Sequence, residues 1–226
     1  MTSQTAKEIL THLKSLADPH NADGMVRFGI NPKNTLGVSI PTLRGIAKSH
    51  RRDHALALEL WDSGIHEARI LAAFVDDPKL VTEAQMESWA DVFDSWDVCD
   101  QVCSNLFDKT KFANQKVDEW SACSEEFVKR AGFVLMASLA VHDKTSGDER
   151  FEKWLPLIVR EANDERNFVR KAVNWALRQI GKRNSRLCTK AIKVARELSK
   201  SESKSARWIG KDALRELENK KSAARK

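Results

Sequence analysis

Apolar residues recur at helical spacing almost everywhere along the chain. Ile9, Leu10, Leu13 and Leu16 form one stripe, and Leu56, Leu58, Leu60 and Trp61 belong to a second, shorter segment. Val169, Ala172, Val173, Ala176, Leu177 and Ile180 follow i, i+3, i+4, i+7, i+8, the pattern of an amphipathic helix that buries one face. No run alternates with the period of two that a half-buried strand requires. The one Asp-Gly pair, Asp23-Gly24, stands in a polar stretch. Pro19, Pro32, Pro41, Pro78 and Pro156 are all expected in loops or near helix starts, where a missing N–H costs little. Polar breaks are short. The pattern predicts about a dozen helices of roughly 10 to 18 residues, joined mostly by about two to eight.

The predicted helices resemble one another. The segment from Phe168 through Arg170, Ala176 and Leu177 to Arg178 lies over Ser205 through Arg207, Ala213 and Leu214 to Arg215 at an offset of 37. The segment starting Phe127-Val-Lys129-Arg130-Ala131 lies over the one starting Phe168 at an offset of 41, and Glu67-Ala-Arg69 opens a weaker copy. Periods near 40 belong to helical-pair repeats of the HEAT or armadillo kind, whose apolar faces are buried only by stacking. The expected architecture is all-α: a curved α-solenoid of HEAT-like repeats forming a single domain over residues 1–226. Flexible ends are expected at about 1–4 and 219–226. Such a shape suits an elongated ligand.

At 226 residues the chain can bury a core without disulfides or structural metal. With 42% hydrophobic and 31% charged residues it is not a disordered composition. No apolar run approaches the ~20 residues of a membrane span. The N-terminus has no secretory pattern, so a cytoplasmic location (nucleoid-associated in a bacterium) with reduced Cys99, Cys103, Cys123 and Cys188 is expected. Charge is distributed unevenly. Residues 1–113 carry 12 Lys/Arg against 16 Asp/Glu, whereas residues 114–226 carry 26 against 16. A basic half points to a polyanion such as DNA or RNA. Arg207, Lys211 and Arg215 step by four along one helix face, and Arg170, Lys171, Arg178, Lys182, Arg183 and Arg186 form a cluster one repeat earlier. Such rows can track a phosphate backbone; the alternative is a solvated helix face.

Candidate chemistry is confined to a few segments. Asp94-Ser95-Trp96-Asp97-Val98-Cys99-Asp100 holds acids around one indole. If Ser95 or Asp94 caps a helix, Trp96 and Asp100 stand on one face, about 5–6 Å apart, while Asp97 serves the helix N-terminus. A carboxylate beside an aromatic face can stabilise a cation developing on a sugar. The competing reading is a core Trp with capping acids. Trp61, Trp89, Trp120 and Trp154 are expected in the core, and Trp208 in either place. Cys99 and Cys103 lack a second pair or a nearby His, so no zinc site is expected. The six histidines show no HExxH spacing, and phosphate-loop and GxSxG motifs are missing.

These residues carry a family resemblance. Ser95-Trp96-Asp97-Val98-Cys99-Asp100, the Phe127 to Ala131 segment, and Phe168 to Arg178 with Trp175 at its centre resemble the AlkD family of DNA alkylation-repair glycosylases, built from HEAT-like repeats. Phe28-Gly29-Ile30 and Gly37 to Lys48 resemble the family's opening, and the likeness covers about residues 5 to 218. The resemblance implies that Asp100 is the catalytic carboxylate and that Trp96 and Trp175 pack against the lesion's deoxyribose. It implies that Arg130, with Lys129, approaches the backbone. The implied substrate is duplex DNA carrying cationic N3- or N7-alkylated purines, excised without metal, cofactor or base flipping. The chain has no tyrosine, so a DNA-facing aromatic near the N-terminus would be Phe28 or a Trp. A monomer with no membrane partner is expected. The competing functions are a non-catalytic binder of damaged or branched DNA and a protein-binding HEAT-repeat scaffold.

Overall fold

The computed structural model describes residues 2–223, with thirteen α-helices and no strand among them. The chain divides into two compact units, residues 1–112 and 113–226.

The first unit holds α1 (Gln4–Ser15), α2 (Pro19–Val26), α3 (Ile40–Ala47), α4 (His54–Asp62), α5 (His66–Val75), α6 (Glu83–Ala90) and α7 (Trp96–Asn105), then a 3-10 turn at Phe107–Lys109. Its helices are short, and their starts are written in the sequence. Ser3, Asp18, Ser39, Asp53 and Thr82 each turn a side-chain oxygen onto a backbone N–H of the first turn, satisfying donors the helix leaves orphaned. Pro19 and Pro41 fall in the first turns of α2 and α3, as expected. α5 is the central helix, packed against α3, α4 and α7. The core is aromatic: Trp61 and Trp89 stack at 3.9 Å, with Phe93 edge-on to Trp61. Buried Glu67 accepts the backbone N–H groups of Leu36, Gly37 and Val38 and ties that segment to α5.

The second unit holds α8 (Ala113–Trp120), α9 (Glu126–His142), α10 (Asp148–Glu161), α11 (Asn167–Arg183), α12 (Ser185–Ser199) and α13 (Lys204–Ala223). The second helices of successive pairs pack on one another, α9 on α11 and α11 on α13. The repeat offset thus becomes a spatial ladder. Phe127 stacks on Phe168 at 5.6 Å, and Arg130, Asn174 and Arg178 each bond a residue 38 positions on. Gly132 and Gly210 occupy the same repeat position. A Cβ on Gly132 would lie 2.6 Å from the Ser121 nitrogen, and one on Gly210 would lie 2.3 Å from the Ser199 nitrogen. Glycine is the residue that lets these second helices lie against the ends of their partners.

Pro156 corrects an expectation. It lies inside α10 rather than at its start. An interior proline loses a hydrogen bond and costs about 3 kcal/mol. Phe151, Trp154, Leu155 and Ile158, all buried, hold α10 in place despite it. Of the ends expected to be flexible, Ser3 caps α1 and residues 219–223 lie in α13; Met1 and residues 224–226 lie outside the described residues. No described helix is long and apolar enough to cross a membrane.

Candidate active site and nucleic-acid interface

The start of α7 is built from three elements of the first unit. Ser95 is its N-cap, extended at φ −150° and ψ 140°, and its carbonyl accepts the Cys99 N–H at 3.2 Å. This registers the helix so that Trp96 and Asp100, four apart, share a face. Both are half-buried. The Trp96 indole donates to the Phe28 carbonyl at 3.0 Å. Phe28 itself is 72% exposed.

Asp97 does not have the simple helix-terminus role expected of it. Its Oδ2 accepts from His66 Nε2 at 2.8 Å and its Oδ1 from the Ser95 hydroxyl at 2.6 Å. His66 is buried at the first position of α5, with its N–H on the Asn34 carbonyl. Burial alone would lower the His66 pKa; the hydrogen bond and charge of Asp97 outweigh it, so the imidazole is held above its ordinary value. Burial alone would raise Asp97. The bond and charge from His66, with Ser95 and the Val98 N–H, bring it below the ordinary carboxylate value instead. The result is a hydrogen-bonded pair clamping α7 onto α5. The third acid, Asp94, accepts from Asn31 at 2.8 Å and lies 4.0 Å from Arg69. Three acids that look alike in sequence therefore have three environments.

The four expected core tryptophans are all buried. Trp175, midway along α11, is half-buried, and its indole N–H makes no hydrogen bond among the described residues. Trp208 is 37% exposed, with the Arg170 guanidinium 4.8 Å from its ring centre.

The cations of the second unit are more committed than their number implies. Lys129 is 9% exposed and lies between Glu161 at 2.5 Å and Asp164 at 3.5 Å. Arg130 is 5% exposed and donates to the Phe168 carbonyl at 2.6 Å. Arg178 and Lys182 both pair with Glu216. Arg215 pairs with Asp212, which also accepts from Asn174 at 2.7 Å. Burial would raise Glu216; its bonds to Lys182 and Arg178 hold it below the ordinary value. Arg207 donates to the Ser201 and Glu202 carbonyls, and Arg170 to Asn167. Arg183 sits over the Phe151 ring and bonds the Ala140 and Ser146 carbonyls, and Arg186 pairs with Glu152. Lys171 and Lys211 are exposed and make no ion pair among the described residues.

Sequence reasoning missed His66 and the acids that occupy the basic rows. The second carried a signal. Arg178 and Lys182 are four apart, as are Asp212 and Glu216 on the next repeat, so the two rows can face one another. His66 lies 31 residues from Asp97 and has no local motif.

The family model described as DNA alkylation repair enzyme matches residues 9–217. No curated protein matches the chain. A solved structure described as a new family of proteins related to the HEAT-like repeat DNA glycosylases, with affinity for branched DNA structures, superposes with a TM-score of 0.78. It covers 93% of this chain and 94% of that one, at 21% identity. The fold is therefore all-α and of the HEAT-like repeat kind.

Proposed function

The chain belongs to the DNA alkylation repair enzyme family, and we propose that it is a DNA glycosylase acting on positively charged N3- and N7-alkylated purines, among them 3-methyladenine and 7-methylguanine, in duplex DNA without base flipping. The observation that carries this reading is the pairing of Trp96 with Asp100 on one face of a helix whose start is clamped by His66 and Asp97. A cationic alkylpurine departs neutral. When the C1′–N bond breaks, its electron pair goes to the base and cancels the positive charge, so no general acid is needed. The sugar becomes oxocarbenium-like, and a carboxylate near C1′ stabilises it. Water then adds to C1′ and gives up its proton to Asp100. The Trp96 face adds attraction for the sugar cation, on the order of 0.5–2 kcal/mol when desolvated. On this reading Trp175 also meets the substrate with an indole face.

Duplex DNA is the proposed partner. Lys171 and Lys211, exposed and without an ion pair among the described residues, are its most available anchors on α11 and α13. Arg170 and Arg207 are steered by neighbouring acceptors, whereas Arg178, Lys182 and Arg215 would have to exchange a carboxylate for a phosphate. Lys129 and Arg130 act mainly by holding α9 in place beneath the interface.

A second reading has one observation in its favour: the similar solved structure is of a family described as having affinity for branched DNA structures. On that reading the chain binds junctions without cutting a glycosidic bond. Incubating the purified protein with duplex containing 7-methylguanine and measuring free base decides between them. Release supports the glycosylase; junction binding without release supports the second reading.

A further inference from the structure

The first unit contains a pocket of about 380 Å³ that the α7 site does not use, lined by four cations, Arg44, Arg51, Arg52 and Lys109, and one acid, Asp76. We propose that this pocket takes phosphate groups of a nucleic-acid backbone and gives the first unit its own hold on DNA. The proposal rests on the reading of the chain as a DNA-binding protein.

The charge in the pocket is not cancelled from within. Asp76 is buried and both its oxygens are occupied, Oδ1 by His54 Nδ1 at 2.6 Å and Oδ2 by Gln85 Nε2 at 2.8 Å. Arg51 and Arg52 are exposed and make no ion pair among the described residues. Arg44 is held in place, with its guanidinium 4.9 Å from the Phe74 ring centre and 3.5 Å from Asn105 Oδ1. The Lys109 ammonium donates to the Asn105 carbonyl. Arg52 also sits at φ 64°, a left-handed conformation that disfavours any residue with a side chain.

Two features favour a backbone diester over a small free anion. The helices that line the pocket, α3, α5 and α7, meet it with their C-terminal turns, through Arg44 and Ala47, Ala73 and Phe74, and Asn105. Those ends present carbonyls and negative dipole rather than the amide N–H groups that grip a small phosphate. The binding power is therefore left to long, exposed side chains, which suit weak, salt-sensitive association with a polymer. The pocket also shares α7 with the candidate site. Asn105 follows Asp100 by five residues, roughly 7.5 Å of helix, close to the rise of about two nucleotides along one strand.

The test is the affinity of wild type and of Arg51→Ala/Arg52→Gly for undamaged duplex across a salt series. Circular dichroism checks the fold, and Lys109→Glu serves as a second variant in the same pocket. The expected result is weaker binding, with a log–log salt slope flattened by about one unit for each phosphate no longer neutralised, and weaker binding again in Lys109→Glu. Duplex binding by wild type with an unchanged slope and affinity in both folded variants overturns the pocket and leaves the DNA reading standing. No duplex binding by wild type overturns both. Pyrophosphate is the remaining arm. If it raises the melting temperature of wild type but not of the double variant while the duplex slopes coincide, the occupant is a small phosphate compound and the proposal fails.

Discussion

The second unit has most of the cations, whereas the first gathers four of its twelve around a pocket with little to neutralise them. Residues 114–226 carry 26 Lys/Arg, yet Lys129, Arg166, Arg178, Lys182 and Arg215 all face carboxylates of their own unit. Residues 1–113 carry 12, and four of them converge on one pocket whose only acid is already occupied. Net charge therefore measures the field seen from far away, which steers a polyanion toward the surface. It does not measure which cations are available once the partner has arrived. In the second unit much of the charge holds repeats together, at about 0–1 kcal/mol for each exposed pair.

Substitutions in each unit test this division of charge. The largest effect is expected at Asp100. Asp100→Asn keeps the size and removes the charge, and single-turnover release of 7-methylguanine should fall by ~10²–10³, with duplex affinity unchanged or slightly higher. Full activity in this variant removes Asp100 from the chemistry. Trp175→Ala should lower release about ten-fold or more, the equivalent of about one or two kcal/mol at the transition state, with helicity intact. Unfolding instead would make Trp175 a core residue of the second unit.

Asp97→Asn should be felt in stability. It leaves His66 buried beside a neutral amide, and denaturant unfolding should show a loss on the order of 1–3 kcal/mol. The pair also has a pH signature. His66 is raised above its ordinary 6.5, so its contribution is complete below that pH and is lost as pH rises through the folded value. Asp97 is lowered from 3.8, so its contribution is complete above that pH and is lost as pH falls through the folded value. The advantage of wild type over His66→Gln in melting temperature should be greatest between about pH 4 and 6.5 and shrink as pH rises through the folded value of His66. A constant difference across that range would mean that the imidazole is uncharged in the fold.

The smallest effect separates committed cations from available ones. Lys171→Ala and Lys211→Ala should each flatten the duplex salt slope by about one unit. Arg178→Ala should change the slope less than either and lower thermal stability instead. Equal slopes for all three would erase the distinction drawn from the ion pairs.

How much of this could be read in the sequence depended on the range of the interaction. The α7 register was legible because i, i+4 geometry is local, although the Ser95 hydroxyl bonds Asp97 rather than capping the helix: Ser95, Trp96 and Asp100 fall within one turn and a half of chain. The repeat ladder was legible because the offset between Phe127 and Phe168 is also the spatial step from α9 to α11. The clamp by His66 was not, since nothing local marks a histidine as the partner of an acid 31 residues away. Nor was the cationic pocket, whose members come from α3, the segment before α4, and the turn after α7. Pro156 lies where local propensity would not put it, because the four buried side chains around it hold the helix together.

The glycines at 132 and 210 bear on how this chain can change over generations. A methyl group at either position would meet backbone nitrogen, at 2.6 Å and 2.3 Å, and backbone cannot turn aside as a side chain can. Alanine, otherwise the easiest helical replacement for glycine, would here act as a wedge between two helices. The equivalent position of the repeat between them is Val173, so the prohibition alternates along the array rather than filling it. Drift in the second unit should therefore be free on its outer faces and closed at these two points, and an inserted or duplicated repeat would have to arrive with its neighbour's glycine already matched.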